Sequence, residues 1–291
     1  MTEKVCRACF LGGDERQMYA AKRLAETIEV VTVGECYKNI NLSSVRRLTS
    51  AEKAIYSADA VILPLPAALC EEVLPAESII DYIKGAKNRV LMAGGRFSPY
   101  LRGRLEECDI YYFDYYENET FALKNAYITA EGAIQLAMTA LNGGIRFSRC
   151  AVIGYGRIGR ALADFLHLLC AEVTVWARRE DVLAEASERG LKTEKINELS
   201  DSFLSLSRGF DVIFNTVPER IISNDVLLSL SNDTVMIELA SSPGGFDHDI
   251  AVQYGIRFID GRGLPGKYAP KAAGNAVADV LLKWLETEGM L

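Results

Sequence analysis

Three glycines with the spacing of a phosphate-binding turn stand in the middle of this 291-residue chain. Gly154, Gly156 and Gly159 follow an apolar stretch that ends at Ile153, and a helical stripe of apolar residues comes after them. In such a motif the first glycine allows a tight turn, the second lets backbone amides approach a pyrophosphate, and the third lets helix and strand pack closely. The pattern predicts a dinucleotide site formed by Gly154, Tyr155, Gly156, Arg157, Ile158 and Gly159.

Two arginines follow the next predicted strand, residues 172–176, at the position that reads the adenine ribose in dinucleotide-binding folds. An acidic side chain there would accept a hydrogen bond from a 2′-hydroxyl and repel a 2′-phosphate. Arg178 and Arg179 instead offer planar, permanently charged donors that suit a phosphate. The sequence therefore favours NADP over NAD as the cofactor, with a solvated arginine loop that binds nothing as the alternative.

Residues at two later strand ends extend the predicted cofactor site. Asn215, Thr216 and Val217 end one strand just before a proline, which prevents the strand from continuing. Small polar groups at this place commonly lie along the nicotinamide ribose. Ala240 and Ser241 follow another strand, in a segment whose backbone and serines could line a gap between domains. Ordinary polar turns are the alternative at both places.

The segment from Gly261 to Lys271 contains three glycines and two prolines, which predicts an unusual loop path. It carries the cations Arg262, Lys267 and Lys271. Lys271 is expected in the first turn of the final helix, where a positive charge opposes the helix dipole and an anionic ligand would offset the cost. Lys271 is therefore a candidate catalytic residue, and Lys267 is a candidate for substrate binding.

Glu131 is expected in the first turn of a connecting helix that begins near residue 129, where its charge suits the helix dipole. That explanation is sufficient for the residue type. A carboxylate at a junction between domains could also remove a proton from a substrate, so Glu131 is the second catalytic candidate.

Strands and helices alternate along both halves of the chain. This rhythm predicts an α/β fold of two doubly wound parallel sheets, the second a Rossmann dinucleotide-binding domain. Five strands are expected in the first half and six in the second. The predicted organisation is an N-terminal substrate and catalytic domain over residues 1–128, a connecting helix over 129–144, the Rossmann domain over 145–266, and a C-terminal helix over 267–291 that returns to the first domain.

The net charge of −7 argues against general affinity for nucleic acid or anionic membranes. No apolar run approaches the roughly 18 residues needed to span a bilayer, and the first residues lack the apolar region of a signal peptide. A cytoplasmic protein is expected, with a homo-oligomer as the default. Because the seven cysteines are scattered, Cys6 and Cys9 are expected to be buried, inert thiols, and no metal site is predicted. His167 is expected to be packed or solvated, and His248 to open a surface helix.

Four segments together resemble the family of the dipicolinate synthase A subunit, and the likeness runs in order over nearly the whole chain. They are Gly12–Asp14 with Arg16 and Gln17, the glycine turn 154–159, the segment 240–245 and the segment 264–271. The last two are more specific than the glycine turn. More broadly, the second half is similar to the cofactor domains of adenosylhomocysteinase and the 2-hydroxyacid dehydrogenases. The segment 64–66 departs from the more polar strand end expected in this family, which weakens the expectation of ligand contacts from that loop.

The resemblance implies an NAD(P)-dependent oxidoreductase that converts hydroxy-tetrahydrodipicolinate, or its dehydrated dihydro form, to dipicolinic acid. It also implies that a flavoprotein-like B subunit is the partner and that the mother cell of a sporulating bacterium is the setting. A small cyclic dicarboxylate calls for cations and backbone donors. Glu131 or neutral Lys271 is the expected base. The candidate cations are Arg16, Lys267 and Lys271, and the candidate orienting partners are Asp14, Gln17, Ser98, Thr129 and Ser241.

Two other functions remain open from the sequence. One is a different NADP-dependent dehydrogenase that acts on a small hydroxy or amino acid. Enzymes of that kind usually rely on a histidine and an arginine in the cleft, and neither of the two histidines here is well placed. The other is a non-catalytic nucleotide-binding subunit whose partner performs the chemistry.

Overall fold

The computed structural model describes residues 6–40, 43–141, 144–196 and 209–291. The chain divides into two compact units, one formed by Met1–Asn125 with Ala269–Leu291 and the other by Ala126–Tyr268. Part of the predicted connecting segment, residues 142–143, lies outside the described residues.

The described residues form twelve β-strands and eleven α-helices. The strands are β1 (Arg7–Leu11), β2 (Glu29–Val33), β3 (Val45–Arg47), β4 (Ala60–Ile62), β5 (Leu91–Gly94), β6 (Tyr112–Asp114), β7 (Arg149–Ile153), β8 (Glu172–Ala177), β9 (Lys192–Lys195), β10 (Val212–Asn215), β11 (Val235–Glu238) and β12 (Phe258–Asp260). The helices are α1 (Glu15–Leu24), α2 (Ala51–Tyr56), α3 (Ala76–Gly85), α4 (Pro99–Glu107), α5 (Glu119–Ala140), α6 (Arg157–Leu168), α7 (Glu180–Glu188), α8 (Asn224–Leu228), α9 (His248–Gln253), α10 (Leu264–Tyr268) and α11 (Pro270–Thr287).

The first unit is built on a parallel sheet with the strand order β3-β2-β1-β4-β5-β6. The central strand β1 is apolar along most of its length, and Ala8, Cys9, Phe10 and Leu11 are all fully buried. Continuous burial of this kind is typical of a parallel strand covered by helices on both faces. The carboxyl ends of these strands therefore form the edge at which ligands bind in such sheets.

Helix α11, although last in sequence, packs against α1 within the first unit. The contact is close because α11 has a glycine at the crossing point. A Cβ atom at Gly274 would lie 2.4 Å from the carbonyl oxygen of Arg16 and 2.7 Å from Cβ of Tyr19. Any larger residue at this position would force the two helices apart.

The second unit contains a parallel sheet with the order β12-β11-β10-β7-β8-β9. Within each unit the strands thus follow the order 3-2-1-4-5-6, which is the arrangement of a complete dinucleotide-binding fold. Residues on one face of the second sheet, such as Val152 and Phe214, pack in the core that includes α5 and α6. Residues on the other face, such as Ile153 and Ile213, pack in a second core that includes α8 and α9. The predicted fold class is confirmed.

The first sheet has six strands rather than the five predicted. The additional strand, β3, pairs with β2 and consists of only three residues, of which Arg46 and Arg47 are exposed. It lies at the edge of the sheet, where a strand needs no apolar run. Hydrophobic patterning could not reveal it.

The helix that contains Glu131 begins at Glu119, ten residues before the predicted start near Thr129. Glu131 therefore lies in the interior of α5, and its predicted place in the first turn is wrong. The boundary between the two units, after Asn125, falls inside this helix. A favourable interaction with the helix dipole cannot explain Glu131, because that interaction fades beyond the first turn.

The segment predicted as an unusual loop between Gly261 and Lys271 contains the short helix α10. Leu264, the first residue of α10, packs against α5, where a Cβ atom at Gly132 would lie 3.1 Å from Cβ of Leu264. Lys271 occupies the second position of α11, so its predicted place in the first turn of the final helix is confirmed.

Among the described residues, no helix combines the length and the apolar character needed to traverse a lipid bilayer. The same part of the chain contains no cluster of three or more histidine, cysteine, aspartate or glutamate side chains arranged to hold a metal ion.

Candidate functional site

The glycine turn after β7 is closed by packing at two of its glycines and open at the third. Gly154 has a φ of +93°, and a Cβ atom there would lie 2.3 Å from Oγ1 of Thr216. A Cβ atom at Gly159 would lie 2.1 Å from the carbonyl oxygen of Gly154. At Gly156 a Cβ atom would come within 4 Å of no other part of the described chain. Packing therefore explains Gly154 and Gly159, whereas Gly156 borders space that a ligand could fill.

Helix α6 begins directly at this turn, with Gly156 as its N-cap residue. The first turn of a helix carries backbone N–H groups that have no acceptor within the helix. Gly156 has no side chain that could cap them, and α6 has no acidic residue in its first turn. Since the helix dipole adds partial positive charge at this end, the turn can hold a phosphate or a pyrophosphate. These residues fit the diphosphate of a dinucleotide.

The side chain of Tyr155 points into the core rather than toward the turn. It is 4% exposed and packs in the core that includes β7 and α6. Its ring centroid lies 5.3 Å from the guanidinium carbon of Arg160, whose Nε donates to the carbonyl oxygen of Tyr155 at 3.1 Å. Burial raises the pKa of the Tyr155 hydroxyl. Because its side chain is buried, Tyr155 can contact a ligand in the turn through its backbone only.

Arg178 follows β8 directly and reaches the loop after β10. Its Nη1 lies 2.9 Å from Oε2 of Glu219, and its Nη2 lies 3.3 Å from Oε1 of the same carboxylate. Both side chains are exposed, by 61% and 57% respectively. The two loops joined by this ion pair lie on either side of β7, because β8 and β10 are its neighbours in the sheet.

Arg179 is paired locally rather than across the sheet. Its Nε donates to Oδ1 of Asp181 at 3.0 Å, and its Nη2 forms a second bond to Oδ2. The hydrogen bond to Asp181 raises the pKa of Arg179, and the same bond lowers the pKa of Asp181. Each of the two predicted arginines therefore has a carboxylate partner.

A buried carboxylate, Glu238, organises the carboxyl ends of β10 and β11. Glu238 is 0% exposed. Its Oε1 accepts from Nδ2 of Asn215 at 2.7 Å and from the backbone N–H of Ala240 at 2.9 Å. Its Oε2 accepts from the backbone N–H of Gly245 at 2.8 Å. One side chain therefore fixes both ends of the loop that contains Ser241.

The polar groups predicted along the nicotinamide ribose are engaged inside the protein. Nδ2 of Asn215 donates to the carbonyl oxygen of Val217 at 2.9 Å as well as to Glu238, and its Oδ1 accepts from the N–H of Val217 at 3.2 Å. Oγ1 of Thr216 donates to the carbonyl oxygen of Ile153 at 2.8 Å. Ala240 is buried, whereas Ser241 is exposed at the tip of its loop. In the structure Asn215 and Thr216 shape the strand ends that face the glycine turn.

The role of Glu238 was missed from the sequence, although a signal was present. The strand β11 reads Val-Met-Ile-Glu, and an acidic residue at the end of a buried parallel strand requires hydrogen-bond donors around it. Gly245 in the following segment supplies one of these donors through its backbone N–H. Gly244 and Gly245 also lack the Cβ atoms that would collide with the side chains of Glu238 and Asn215. A Cβ atom at Gly245 would lie 2.4 Å from Nδ2 of Asn215, and one at Gly244 would lie 2.8 Å from Oε2 of Glu238.

In the first unit, Asp14 and Arg16 form one connected group at the start of α1. Asp14 is the N-cap residue, and its side chain accepts from the backbone N–H of Arg16 at 2.9 Å. Nε of Arg16 lies 3.0 Å from both carboxylate oxygens, and its Nη2 lies 2.6 Å from Oδ2. Nη2 also donates to the carbonyl oxygen of Leu65 at 2.6 Å. The charge of Arg16 is therefore balanced by Asp14, and the loop at 64–66 contributes a backbone acceptor.

Gln17 lies beside this group and is almost completely buried, with 2% exposure. Its Nε2 donates to the carbonyl oxygen of Leu63 at 2.8 Å and lies 3.3 Å from the hydroxyl of Tyr115. Its Oε1 is buried and accepts no hydrogen bond from the described residues. The side chain connects the residues that follow β4 and β6.

Ser98 and Lys271 also belong to the first unit. Ser98 is exposed and caps α4, since its Oγ accepts from the backbone N–H of Leu101 at 3.1 Å. Lys271 is exposed in the first turn of α11, which contains no acidic residue and whose N-cap residue, Ala269, has no capping side chain. The structure thus gives Ser98 a local structural role and gives Lys271 none.

Thr129, Glu131, Ser241 and Lys267 belong to the second unit. Thr129 is buried in α5, whereas Glu131 and Lys267 are exposed. The cation Arg262 is paired with Asp260, whose carboxyl pKa is lowered to about 2, chiefly by the hydrogen bond from Arg262.

The thiols and histidines agree with their predicted roles. Cys6 and Cys9 are buried, and burial raises the pKa of the Cys9 thiol far above its usual range. His248 is the first residue of α9, as predicted, and His167 is exposed in α6. The sequence did not predict the contact between His248 and Glu238, in which Nε2 of the imidazole lies 3.7 Å from Oε2 of the carboxylate.

Comparison with known proteins identifies relatives over nearly the full length. The family model for the N-terminal domain of the dipicolinate synthase A subunit matches residues 7–116. The A subunit of dipicolinate synthase from Bacillus subtilis (strain 168) is 30% identical over 283 residues, which covers 94% of each chain. The crystal structure of the dipicolinate synthase A subunit from Bacillus halodurans superposes with a TM-score of 0.83 at 30% identity, covering 96% of this chain and 97% of that one.

A more distant likeness concerns the fold alone. The transhydrogenase from Sinorhizobium meliloti superposes with a TM-score of 0.68 at 15% identity, covering 96% of this chain and 92% of that chain. The two-sheet arrangement is thus shared beyond close relatives, whereas the match to the B. subtilis protein covers 94% of this chain at twice that identity. This chain belongs to the family of the dipicolinate synthase A subunit.

Proposed function

We propose that this protein is an NAD(P)-dependent oxidoreductase. The observation that carries the proposal is Gly156, which borders open space at the uncapped N-terminus of α6, in a sheet with the strand order of a dinucleotide-binding fold. The backbone of this turn would bind the diphosphate. The bound nicotinamide would supply the hydride acceptor of the reaction.

We propose NADP as the preferred cofactor, with NAD as the alternative. The residues after β8 read Arg178-Arg179, so the carboxylate that binds a 2′-hydroxyl in NAD-dependent folds is absent from this position. Arg178 is exposed and presents its guanidinium fork at the correct strand end. A guanidinium fork matches a phosphate in both charge and geometry.

For the substrate we propose a small cyclic dicarboxylate, hydroxy-tetrahydrodipicolinate or its dihydro form, with dipicolinate as the product. Membership in the family supports this choice. Arg16, Lys267 and Lys271 remain the candidate cations for the two carboxylates. Since Asp14 already balances Arg16, the exposed Lys267 and Lys271 are the stronger candidates for the charge. Gln17, Ser98, Thr129 and Ser241 remain proposed orienting groups.

Loss of a hydride from the dihydro ring must be accompanied by loss of a proton, and the hydroxy-tetrahydro form must in addition lose its hydroxyl group as water. Glu131 is an exposed carboxylate in the interior of α5, without the dipole interaction that would explain its presence. Lys271 is exposed in a helix turn where its charge is unfavourable. We propose that one of these two side chains accepts the proton.

The direct test is to mix purified protein with NADP and hydroxy-tetrahydrodipicolinate. We expect reduced nicotinamide by absorbance and dipicolinate by mass spectrometry. Whichever of Glu131→Gln and Lys271→Met removes the base should reduce turnover and leave NADP binding unchanged. Lys283→Met is the matched control, because Lys283 is an exposed lysine of the same helix α11. Turnover of small hydroxy or amino acids in place of the cyclic dicarboxylate would contradict the substrate assignment.

We also propose that this chain works with a second protein subunit, because the relatives are named as A subunits of a synthase. We propose that this partner is a flavoprotein-like B subunit, in the mother cell of a sporulating bacterium. A non-catalytic role for this chain is the second candidate, and it is favoured by the internal pairing of Arg16 and the capping role of Ser98. If the isolated chain is inactive, and Glu131→Gln and Lys271→Met leave the activity of the two-subunit complex unchanged, the non-catalytic role is correct.

A further inference from the structure

The contact between Arg178 and Glu219 spans the strand ends on both sides of the glycine turn. Arg178 directly follows β8, and Glu219 lies four residues after the end of β10. Both guanidinium nitrogens of the fork are used, at 2.9 and 3.3 Å, on the two oxygens of one carboxylate. A two-point contact of this kind is the geometry in which arginine also binds phosphate.

We propose that Glu219 is a specificity-determining residue that competes with the 2′-phosphate of NADP for Arg178. This inference rests on the proposed function, since it requires that the turn at Gly156 binds a dinucleotide. The carboxylate occupies the donors of Arg178 that a 2′-phosphate needs, so NADP must displace it. NAD carries a neutral 2′-hydroxyl and leaves the ion pair in place.

Displacement is feasible because both side chains are largely exposed. Exposed ion pairs are weak, since water and salt screen them, whereas a phosphate carries more charge and offers more acceptor oxygens than a carboxylate. The pair therefore lowers the affinity for NADP without preventing its binding. Cofactor preference is set by Arg178 and Glu219 together, and Arg178 alone would favour NADP more strongly.

The loop that carries Glu219 does not depend on this carboxylate for its position. On its amino-terminal side, Asn215 holds Val217 by two hydrogen bonds. On its carboxyl-terminal side, Nη1 of Arg220 lies 2.7 Å from Oδ2 of Asp247, the N-cap residue of α9. Removal of the Glu219 charge should leave the loop in place, so its effect on binding can be measured in folded protein.

The test is calorimetric titration of NADP and NAD into the full chain without substrate. Glu219→Gln keeps the shape of the side chain and should tighten NADP binding by about two- to fivefold, the range that an exposed ion pair accounts for. NAD binding should not change. Glu172→Gln is the matched control, because it makes the same chemical change in an exposed ion pair, with Lys192, at the opposite end of β8 and should change neither affinity. In an Arg178→Gln background, Glu219→Gln should have no effect on NADP binding.

Unchanged or weaker NADP binding by Glu219→Gln, in a protein that binds NADP, would overturn this inference and leave the proposed function intact. An equal gain from Glu172→Gln would also overturn it, because general electrostatics would then explain the effect. If wild-type protein with native circular dichroism binds neither dinucleotide, the proposed function fails and this inference fails with it.

Discussion

Replacing Glu238 by glutamine should destabilise the protein more than any other isosteric change in the described carboxylates of the second sheet. The carboxylate is completely buried and accepts from three donors, on Asn215, Ala240 and Gly245. A glutamine must place an NH₂ group at one of the two oxygen positions. At least one of the three donors would then face another donor.

The magnitude follows from these contacts. Leaving one buried donor without an acceptor costs about 1–3 kcal/mol, and the remaining bonds lose the strength that a charged acceptor adds, about 1 kcal/mol each. Relief from burying a charge offsets part of this cost. We expect a net loss of about 2–3 kcal/mol in the free energy of unfolding. For a chain of this size that corresponds to a decrease of roughly 4–12 °C in Tm.

Urea unfolding followed by circular dichroism measures this loss. Glu219→Gln is the matched control, because the same chemical change in an exposed ion pair should alter the free energy of unfolding by no more than about 1 kcal/mol. If Glu238→Gln unfolds within about 0.5 kcal/mol of wild type, the argument that this carboxylate holds the loop by three hydrogen bonds is refuted.

Three further predictions follow from local geometry. Gly156→Ala should keep wild-type stability and lose dinucleotide binding in calorimetry. Gly159→Ala should lower the free energy of unfolding by about 1–3 kcal/mol, because its Cβ would meet a backbone oxygen at 2.1 Å. If Gly156→Ala instead destabilised the fold and Gly159→Ala did not, the assignment of open space at Gly156 would be contradicted. Arg178→Asp should weaken NADP binding by about 10–150-fold and NAD binding much less, and equal weakening of both would argue against a phosphate contact. Because the folded-state pKa of Asp260 is held at about 2, chiefly by Arg262, its stabilising contribution is present at neutral pH and is lost as the pH falls from about 4 to about 2. The stability difference between wild type and Asp260→Asn in urea should therefore shrink over that range, and a difference that grows on acidification would disprove the pairing.

The glycine turn could be predicted because its determinants are local in sequence. A strand, three glycines at fixed spacing and a helix stripe lie within about twenty residues, and each glycine has a separate geometric reason. The first turn of α11 was predictable for the same reason, since Pro270 marks the start of a helix and places Lys271 in it. Alternation of strands and helices was sufficient for the fold class.

The pairing of charged residues could not be predicted, because it depends on which strands become neighbours. Arg178 and Glu219 are 41 positions apart and meet only because β8 and β10 both flank β7. Asn215 and Glu238 meet because β10 pairs with β11 in a register that places them side by side. The position of Glu131 was misjudged for a different reason, since the start signal of α5 was overlooked. Asn118 caps the helix by accepting from the backbone N–H of Phe121, and Glu119 is an acidic residue in its first turn.

The two sheets share a strand order, yet the helices that follow their first strands begin differently. At the start of α1 the chain provides its own anion, because the Asp14 carboxylate caps the helix and pairs with Arg16. A diphosphate arriving there would find the backbone N–H of Arg16 already bonded to Asp14, in the place where the second sheet has the bare backbone of Gly156. Duplicated architecture therefore does not mean duplicated binding, and the stoichiometry should be one nucleotide per polypeptide.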